Sequence, residues 1–233
     1  MRTLAAVASL AVLIAACDRS PAGDAAPAPG ETATPPAPAE PAPSAPPPAD
    51  APAETGGWRE IASTADASAL GRLDEAWRLA RAEAEEAGFA EQVEALGPLV
   101  DPNAGQTGRL QPAPGAYRCR TIKLGSKGEG GLGYVAYPFF RCTVELTPGG
   151  DLVLTKATGS QRSRGLLYPD TDRRLVFLGA HAWGSDETGY PAYGLRPERD
   201  QIGVFERIGP ERWRLVIPWP RQEAKLEILE LVR

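Results

Sequence analysis

Histidine is almost missing from this sequence, since His181 is the only one among 233 residues. A zinc site on it would need cysteine, histidine or carboxylate companions at ligand spacing, and none is arranged around it. A Ser-His-Asp set could be drawn from Ser160, His181 and Asp200, but Ser160 does not sit in the strand-turn-helix elbow that exposes such a serine. We therefore predict no catalytic residues, no metal site and no cofactor, and we expect that the protein is not an enzyme.

No spacing in the sequence selects a pair of carboxylates for glycoside hydrolysis. The candidates all lie in turn-like segments and are Asp170, Asp172, Asp186, Glu187 and Asp200. Such a pair needs a fixed separation across the scissile bond, and turns do not reveal one. Hydrolase activity stays open as a third alternative, after ligand or partner binding and inhibition of a hydrolase.

The sequence also lacks an apolar run long enough to cross a bilayer. A spanning helix needs about 20 apolar residues, whereas the N-terminal run stops at Cys17 and is followed at once by Asp18 and Arg19. A short apolar core behind a positive charge and before small residues is typical of an export signal. Residues 1–16 are therefore predicted to be a signal peptide.

The end of this signal, Leu13-Ile14-Ala15-Ala16-Cys17, resembles a bacterial lipobox. We expect Cys17 to be lipidated, carrying diacylglycerol and palmitate, and to anchor the protein to a membrane on the periplasmic side of the cell envelope. The alternative is an ordinary secretory signal in which Cys17 is accidental. Asp18 hints at the inner membrane, but this sorting rule differs between bacterial groups, so the choice between inner and outer membrane stays open.

Aromatic and large aliphatic side chains are absent from residues 18–57, which consist mostly of Pro, Ala and small polar residues. Nothing in such a segment can repay the entropy of ordering the backbone. We predict that residues 17–57 are the lipidated Cys17 and a disordered tether. At about 3.1 Å per residue a stiff form of it would extend on the order of 120 Å.

Cysteine is scarce, with three copies in the chain. If Cys17 carries lipid, then Cys119 and Cys142 remain as an even pair in an oxidising compartment, and we expect them to be bonded. The disulfide would join the two strands of the first hairpin or two strands that are neighbours in a barrel. Their spacing is not the Cys-x-x-Cys of redox-active pairs, which favours a structural role.

Charge is divided unevenly along the chain. Residues 58–101 hold four Arg against ten Asp and Glu, whereas residues 102–233 hold 19 Lys and Arg against 14 Asp and Glu. We predict that an acidic helical segment, 58–101, packs on a basic β domain, 102–233. The alternative is an anionic partner for the β domain. Nucleic acid is not expected, because the positive charge is too diffuse to form a binding stripe.

Residues 63–96 carry a helical pattern. Apolar residues recur every three or four positions on one face, at Leu70, Leu73, Trp77, Ala80 and Ala84. Asp66 or Ser68 could cap the start, and Gly88 interrupts the pattern, which predicts one helix broken near Gly88 or two short helices. The polar face is acidic, which favours packing on the domain over lying on a membrane.

From residue 117 onward the periodicity changes to two, which is typical of strands. The predicted strands are Tyr117–Leu124, Tyr134–Thr147, Leu152–Thr158, Arg162–Tyr168, Arg173–Ala182, Ile202–Ile208, Arg212–Pro218 and Leu226–Val232. Along Arg212–Pro218 the alternation predicts one face open to water. Short connections favour an antiparallel meander of about eight strands. We prefer a closed barrel to a sandwich, because an open sheet would leave exposed edges.

A literal G-x-G-x-x-G occurs at 128–133. A dinucleotide-binding loop must open a helix, whereas a strand follows here, so we interpret the glycines as a hairpin loop. Long loops on a β scaffold are better candidates for binding. The candidate binding surface consists of Lys156, Ser160, Gln161, Arg162, Tyr193, Arg199 and Asp200. These residue types suit sugar, phosphate, carboxylate or protein ligands, although solvated loops would look the same.

Several motifs follow one another along the β domain: Gly115-x-Tyr117-Arg118-Cys119-Arg120, Phe140-x-Cys142, Lys156-x-Thr158-Gly159-Ser160-Gln161-Arg162, Val176-Phe177-Leu178-Gly179, Arg199-Asp200-x-x-Gly203 and Arg212-Trp213-Arg214-Leu215. In this order they resemble an alphaproteobacterial envelope lipoprotein family that is catalogued only as a domain of unknown function. The likeness spans about residues 58–232. It implies an envelope location and supports the domain boundary, but it implies no activity and no functional residue.

The sequence therefore favours two functions of different classes. The first is a non-catalytic envelope lipoprotein, expected to be a monomer, whose β domain binds a cell-wall fragment, an anionic small molecule or a partner protein. The second is an inhibitor of a periplasmic hydrolase of the protease or lysozyme type, an analogy with small barrel inhibitors that rests on architecture alone. An internal cavity would favour the first, and a filled barrel with a protruding loop would favour the second.

Overall fold

The structure is a computed structural model and describes residues 57–233. The predicted signal peptide, Cys17 and all of the tether except Gly57 lie outside the described residues. Within the described part of the chain, no helix is long and apolar enough to cross a membrane.

Four short helices precede the strands. They are α1 (Trp58–Ile61), α2 (Thr64–Gly71), α3 (Leu73–Ala84) and α4 (Ala90–Glu94), with a π-helical turn at Glu85–Phe89 and a 3-10 turn at Gly97–Leu99. The predicted break near Gly88 is present, because Gly88 has a φ of 89° that glycine adopts readily. A second break at Arg72 was not predicted. The predicted cap was wrong, since the Ser63 side chain accepts from the Asp66 backbone N–H at 3.1 Å and caps α2.

The rest of the domain is an antiparallel β-barrel, which confirms the preferred fold class. Its strands are β1 (Gly115–Ser126), β2 (Tyr134–Ala136), β3 (Phe140–Leu146), β4 (Leu152–Lys156), β5 (Gln161–Pro169), β6 (Leu175–Trp183), β7 (Asp200–Gly209), β8 (Arg212–Pro218) and β9 (Ala224–Val232). Neighbours pair in the order β1-β3-β4-β5-β6-β7-β8-β9, and β9 pairs again with β1. Eight strands thus close the barrel, and closure leaves no long free edge. The short strand β2 is the ninth.

The predicted strand Tyr134–Thr147 is interrupted. Its first part, β2, pairs with β1 opposite Ile122 to Leu124, and its second part, β3, pairs with β1 opposite Gly115 to Cys119. Between them lies Pro138, which has no N–H to donate to a ladder. β4 pairs with β3 but not with β2, so the barrel wall has a gap beside β2.

One half of the barrel interior is filled with apolar side chains, and we call it the apolar half. It contains Tyr117, Cys119, Cys142, Val144, Leu154, Phe177, Phe205, Trp213, Leu215, Leu229 and Leu231. Cys119 and Cys142 form the predicted disulfide between the neighbouring strands β1 and β3. Both cysteines are buried, so the link is part of the packed core.

The helical segment packs on the outside of the barrel. Leu70, Trp77, Ala80 and Leu99 are buried against apolar residues on the outer faces of β1 and β6 to β9. Each fully buried leucine contributes about 1.5–3 kcal/mol. Ion pairs also link the acidic segment to the β domain, for example the pair between Glu83 and Lys225.

The predicted wet face of β8 was wrong, because this helical cover reaches it. Arg214 is fully buried. Its Nη1 donates to the carbonyl oxygens of Pro98, Leu99 and Asp101 at 2.6–3.1 Å, and its Nη2 lies 2.7 Å from Glu206 Oε2. A guanidinium supplies five donors, so one side chain satisfies the carbonyls at the end of the helical segment and fixes it to β8.

Candidate functional site

The other half of the barrel interior is polar. Side chains on a strand alternate between faces, so Thr121 and Lys123 point to the same side of β1 as the interior residue Cys119. Strand register places Lys123 opposite Glu227 and Ser163 opposite His181. We call this the polar half; its charged and polar members are Thr121, Lys123, Lys156, Gln161, Ser163, His181, Gln201 and Glu227.

A cavity of about 170 Å³ opens from the polar half to the surface. We call it the polar cavity, and it is lined by Thr121, Tyr137, Phe140, Lys156, Ser160, Gln161, Glu223 and Glu227. Thr121, Lys156 and Glu227 are buried, whereas Tyr137, Ser160 and Glu223 are exposed. The exposed residues come from the β2–β3 and β4–β5 connections and the loop before β9, so the cavity opens beside the gap in the barrel wall.

Lys123 lies among polar and acidic partners. Its Nζ donates to Gln161 Oε1 at 2.6 Å and to Glu223 Oε2 at 2.5 Å, and it lies 3.8 Å from Glu227 Oε2. These contacts keep a buried charge paired, which buried ions require. The hydrogen bond from Lys123 in turn lowers the pKa of Glu223, so Glu223 is a carboxylate at neutral pH.

Lys156 has a different environment. Its Nζ donates to the carbonyl oxygens of Thr158 at 3.1 Å and Gln161 at 2.5 Å, and it lies 4.2 Å from the centre of the Phe140 ring. Burial lowers the pKa of Lys156 to about 8, and the positive charge of Lys123 acts in the same direction. Lys156 is therefore a buried amine that changes its protonation state close to neutral pH.

Glu227 is the acidic member of the buried set. Burial raises the pKa of its carboxyl group, while the nearby Lys123 and Lys156 oppose that shift. A carboxyl group with a raised pKa keeps its proton to higher pH than a solvated glutamate. The polar half thus holds two lysines and a glutamate that resists ionisation, and the exposed carboxylate of Glu223 lines the opening of the cavity.

His181 is neutral. Burial and the neighbouring ammonium groups of Lys123 and Lys156 lower the pKa of its imidazole to about 3.

Further around the barrel, Ser163 donates its hydroxyl to Gln201 Oε1 at 3.0 Å. Gln201 Nε2 and Trp183 Nε1 are buried and have no hydrogen-bond partner among residues 57–233. The interior therefore offers more N–H donors than its own acceptors use.

A family model described as Domain of unknown function (DUF4893) matches residues 58–231. The chain belongs to the DUF4893 family. No curated protein and no solved structure matches it. The assignment confirms the resemblance to a domain of unknown function, while the envelope lipoprotein part of that prediction stays a prediction.

Of the predicted binding surface, this DUF4893 domain brings three residues together at the polar cavity: Lys156, Ser160 and Gln161. Arg162 and Arg199 do not line the cavity and instead hold the loop after β6. Arg162 donates to the carbonyl oxygen of Gly184 at 3.3 Å, and Arg199 pairs with Glu187 and stacks on Trp183, with 4.5 Å from its guanidinium carbon to the ring centre. These two arginines are engaged in fixing that loop.

Tyr193 and Asp200 belong to a separate network on the outside of the DUF4893 barrel. The Tyr193 hydroxyl donates to Asp66 Oδ2 at 2.6 Å, and Arg221 Nη2 donates to Asp66 Oδ1 at 2.7 Å. Asp200 accepts from the Gly194 backbone N–H at 3.0 Å. The network joins α2 to the loop before β7, and the structure does not place Tyr193 or Asp200 at the polar cavity.

Sequence reasoning missed most of the site. Lys123, His181, Glu223 and Glu227 were not among the predicted binding residues, although all four surround or line the polar cavity. A signal for them exists in β1, where outward positions change from Arg118 and Arg120 to apolar residues while the inward positions change from apolar to polar. Within residues 57–233, no group of three or more His, Cys, Asp or Glu side chains is arranged to hold a metal ion.

Proposed function

We propose that this protein is a non-catalytic, periplasm-facing lipoprotein whose barrel binds a small carboxylate-bearing ligand in the polar cavity. The observation that carries the proposal is the cavity itself, which reaches the buried Lys156 amine from the surface. A barrel that acted through a protruding loop alone would not need an opening into its interior. The cavity therefore supports the ligand-binding alternative over the hydrolase inhibitor.

The charges around the polar cavity favour an anion. Lys123 and Lys156 face the carboxylate of Glu223 and the carboxyl group of Glu227, whose pKa is raised. Because a carboxyl group with a raised pKa carries its negative charge less readily than a solvated glutamate, the acidic side chains balance the two lysines incompletely. Hydrogen bonds between an ammonium and a carboxylate are about twice as strong as neutral ones, so a ligand carboxylate would supply the missing partner.

Two donors outside the lining of the polar cavity have no partner among residues 57–233. Gln201 Nε2 and Trp183 Nε1 each carry an unpaired N–H, and an unpaired buried donor costs about 1–3 kcal/mol. Carboxylate oxygens are acceptors only. Neither Gln201 nor Trp183 lines the polar cavity, so a carboxylate there would accept from the donors of the cavity itself, such as Lys156, and the ligand proposal does not depend on these two groups.

The size of the cavity limits the ligand. A volume of about 170 Å³ equals about five or six water molecules at roughly 30 Å³ each, whereas pockets for drug-sized molecules span about 300–1,000 Å³. We therefore expect a small carboxylic acid, or the carboxylate end of a larger molecule such as a muropeptide stem.

The location in the envelope is part of the proposal and rests on the lipobox that ends at Cys17. Metabolic labelling with palmitate tests it. Label is expected in the wild-type protein and not in Cys17→Ser. Label in neither protein would overturn the lipid anchor without touching the ligand proposal.

The ligand proposal is tested by thermal unfolding of the full chain, purified in detergent, with lactate, muropeptides or the neutral lactamide. A ligand that binds only the folded state raises the unfolding temperature. Lactate or muropeptides should raise it, lactamide should not, and Lys156→Met should lose the effect while Lys127→Met keeps it. Lys127 is a suitable control because it is exposed and lies outside the cavity.

Stabilisation by muropeptides and not by lactate would identify the cell-wall source of the carboxylate. Equal stabilisation by lactate and lactamide would contradict the proposal. The protein can also be used as bait in a periplasmic extract. Recovery of a hydrolase in an amount nearly equal to that of the bait would contradict the proposal, because an inhibitor is expected to give this result.

A further inference from the structure

Lysine is rare in this chain. Of its 25 basic residues, 21 are Arg and only four are Lys, at positions 123, 127, 156 and 225. Two of these four, Lys123 and Lys156, lie in the polar half of the barrel. Arginine is always charged in proteins, whereas lysine can lose its proton when it is buried. The interior of the barrel thus contains the type of cation that can become a neutral nucleophile.

The two interior lysines are not equivalent. Lys123 donates to Glu223 and lies 3.8 Å from Glu227, so it has two acidic side chains beside it. Lys156 instead donates to two backbone carbonyls and packs on an aromatic ring. A neutral amine has two N–H groups and one lone pair, so two carbonyl acceptors match the neutral form as well as the charged one.

The surroundings of Lys156 match those of known activated lysines. Burial and a neighbouring cation are the two conditions that turn a lysine into a nucleophile near neutral pH. Lys156 meets both, because it is buried and the charges of Lys123 and Arg162 act on it. The charge of Glu227 acts in the opposite direction, and the net result is a pKa of about 8.

We propose that Lys156 forms a reversible imine with the carbonyl group of a small oxo acid in the polar cavity. This inference rests on the proposed function, because the carboxylate of the oxo acid is the anion that the cavity binds. It narrows the ligand class to acids that carry an aldehyde or ketone next to the carboxylate.

The reaction needs no oxidant or reductant. The Lys156 nitrogen attacks the carbonyl carbon, the carbonyl oxygen takes up a proton, and the nitrogen loses one, which gives a carbinolamine. Protonation of its hydroxyl group then releases water as the C=N bond forms. Glu227 lines the same cavity with a raised pKa, and we assign the supply of that proton to it. The protonated imine keeps the positive charge of Lys156, so pairing with the ligand carboxylate is preserved.

The test is reductive trapping on the full chain in detergent. Pyruvate is added near pH 8, sodium borohydride reduces any imine to a stable amine, and peptides are mapped by mass spectrometry. We expect one carboxyethyl group per chain, located on Lys156. The adduct should be lost in Lys156→Met and Lys156→Arg and retained in Lys127→Met. Lactate, which has the carboxylate but no carbonyl, should give no adduct and should compete with pyruvate.

The outcomes separate this inference from the proposed function. Lactate that stabilises the protein, together with no pyruvate adduct on Lys156, overturns the imine and leaves carboxylate binding intact. Adducts spread equally over Lys127, Lys156 and Lys225 also overturn it, because they show ordinary lysine reactivity. Peptide mapping of the wild-type protein gives this answer even if both Lys156 variants fail to fold.

Discussion

Lys123 Nζ lies 3.8 Å from Glu227 Oε2 inside the barrel, and the two residues face each other directly in the β1–β9 ladder. This pair stands at the seam where the first and last strands close the barrel. It puts a lysine and a glutamate side by side in an interior whose other half is apolar. The seam therefore contributes to the candidate site as well as to the fold.

Glu227→Gln should remove a dependence of stability on pH. The pKa of Glu227 is raised in the folded state, so between the ordinary glutamate pKa and the raised value the folded protein binds more protons than the unfolded chain. The free energy of unfolding of the wild type therefore falls as pH rises through this window. Urea unfolding of both proteins from pH 4 upward measures it. Parallel pH profiles would show that Glu227 has no raised pKa.

Removal of the disulfide should destabilise the domain without changing its fold. Cys119 and Cys142 are 23 residues apart in sequence, and opening a loop of that length costs about 3 kcal/mol through the entropy of the unfolded chain. The double variant Cys119→Ala/Cys142→Ala should show this loss in urea unfolding. A loss below about 1 kcal/mol would mean that the link constrains the unfolded chain much less than its loop length implies.

Arg214→Met should be one of the most destabilising single changes. It leaves the carbonyl oxygens of Pro98, Leu99 and Asp101 and the Glu206 carboxylate without their donor, and breaking a buried ion pair costs about 3–5 kcal/mol. Urea unfolding at neutral pH measures the loss in the free energy of unfolding.

Arg212→Met is the matched control for Arg214→Met. Arg212 lies on the same strand and is 30% exposed, and its partner Glu230 keeps a second arginine, Arg120. We expect a loss of about 1 kcal/mol or less for this more exposed ion pair. Equal losses in the two variants would contradict the role given to Arg214.

The ring protons of His181 should not titrate between pH 5 and 8. Burial and the charges of Lys123 and Lys156 hold the pKa of His181 at about 3, below the ordinary value of about 6.5. Its contribution to stability is therefore present above pH 6.5 and is lost as pH falls toward 3. Because His181 is the only histidine, proton NMR follows one signal. A midpoint near pH 6.5 would show that His181 is not buried beside these ammonium groups.

The barrel and its disulfide were predictable from the sequence, because the strand alternation indicates the strands and the cysteine count indicates the bonded pair. Strands of the predicted meander close into a barrel, and Cys119 and Cys142 are bonded within it. The predictions failed where distant parts of the chain meet. Arg214 was assigned to a wet face, since its burial depends on carbonyl groups more than 100 residues earlier in the sequence. Likewise, Pro138 marks a strand break that apolar alternation alone does not show.

The candidate site was less predictable than the fold. Lys156, Ser160 and Gln161 were found because they are close together in sequence around one turn. Lys123 and Glu227 were missed, because strand register alone brings them together and they are more than 100 residues apart. Polar residues on a strand are normally assigned to the solvent side, and in this barrel the polar half of the interior reverses that assignment.

The most direct test of carboxylate binding in the polar cavity follows the single His181 signal by proton NMR while lactate is added to the full chain in detergent. His181 shares the polar half with Lys123 and Lys156, so a bound carboxylate should shift its signal. We predict a saturable shift in the wild type and in Lys127→Met, and none in Lys156→Met. A His181 signal that stays fixed in the wild type with lactate and also with muropeptides, or that shifts equally with lactamide, would contradict the account.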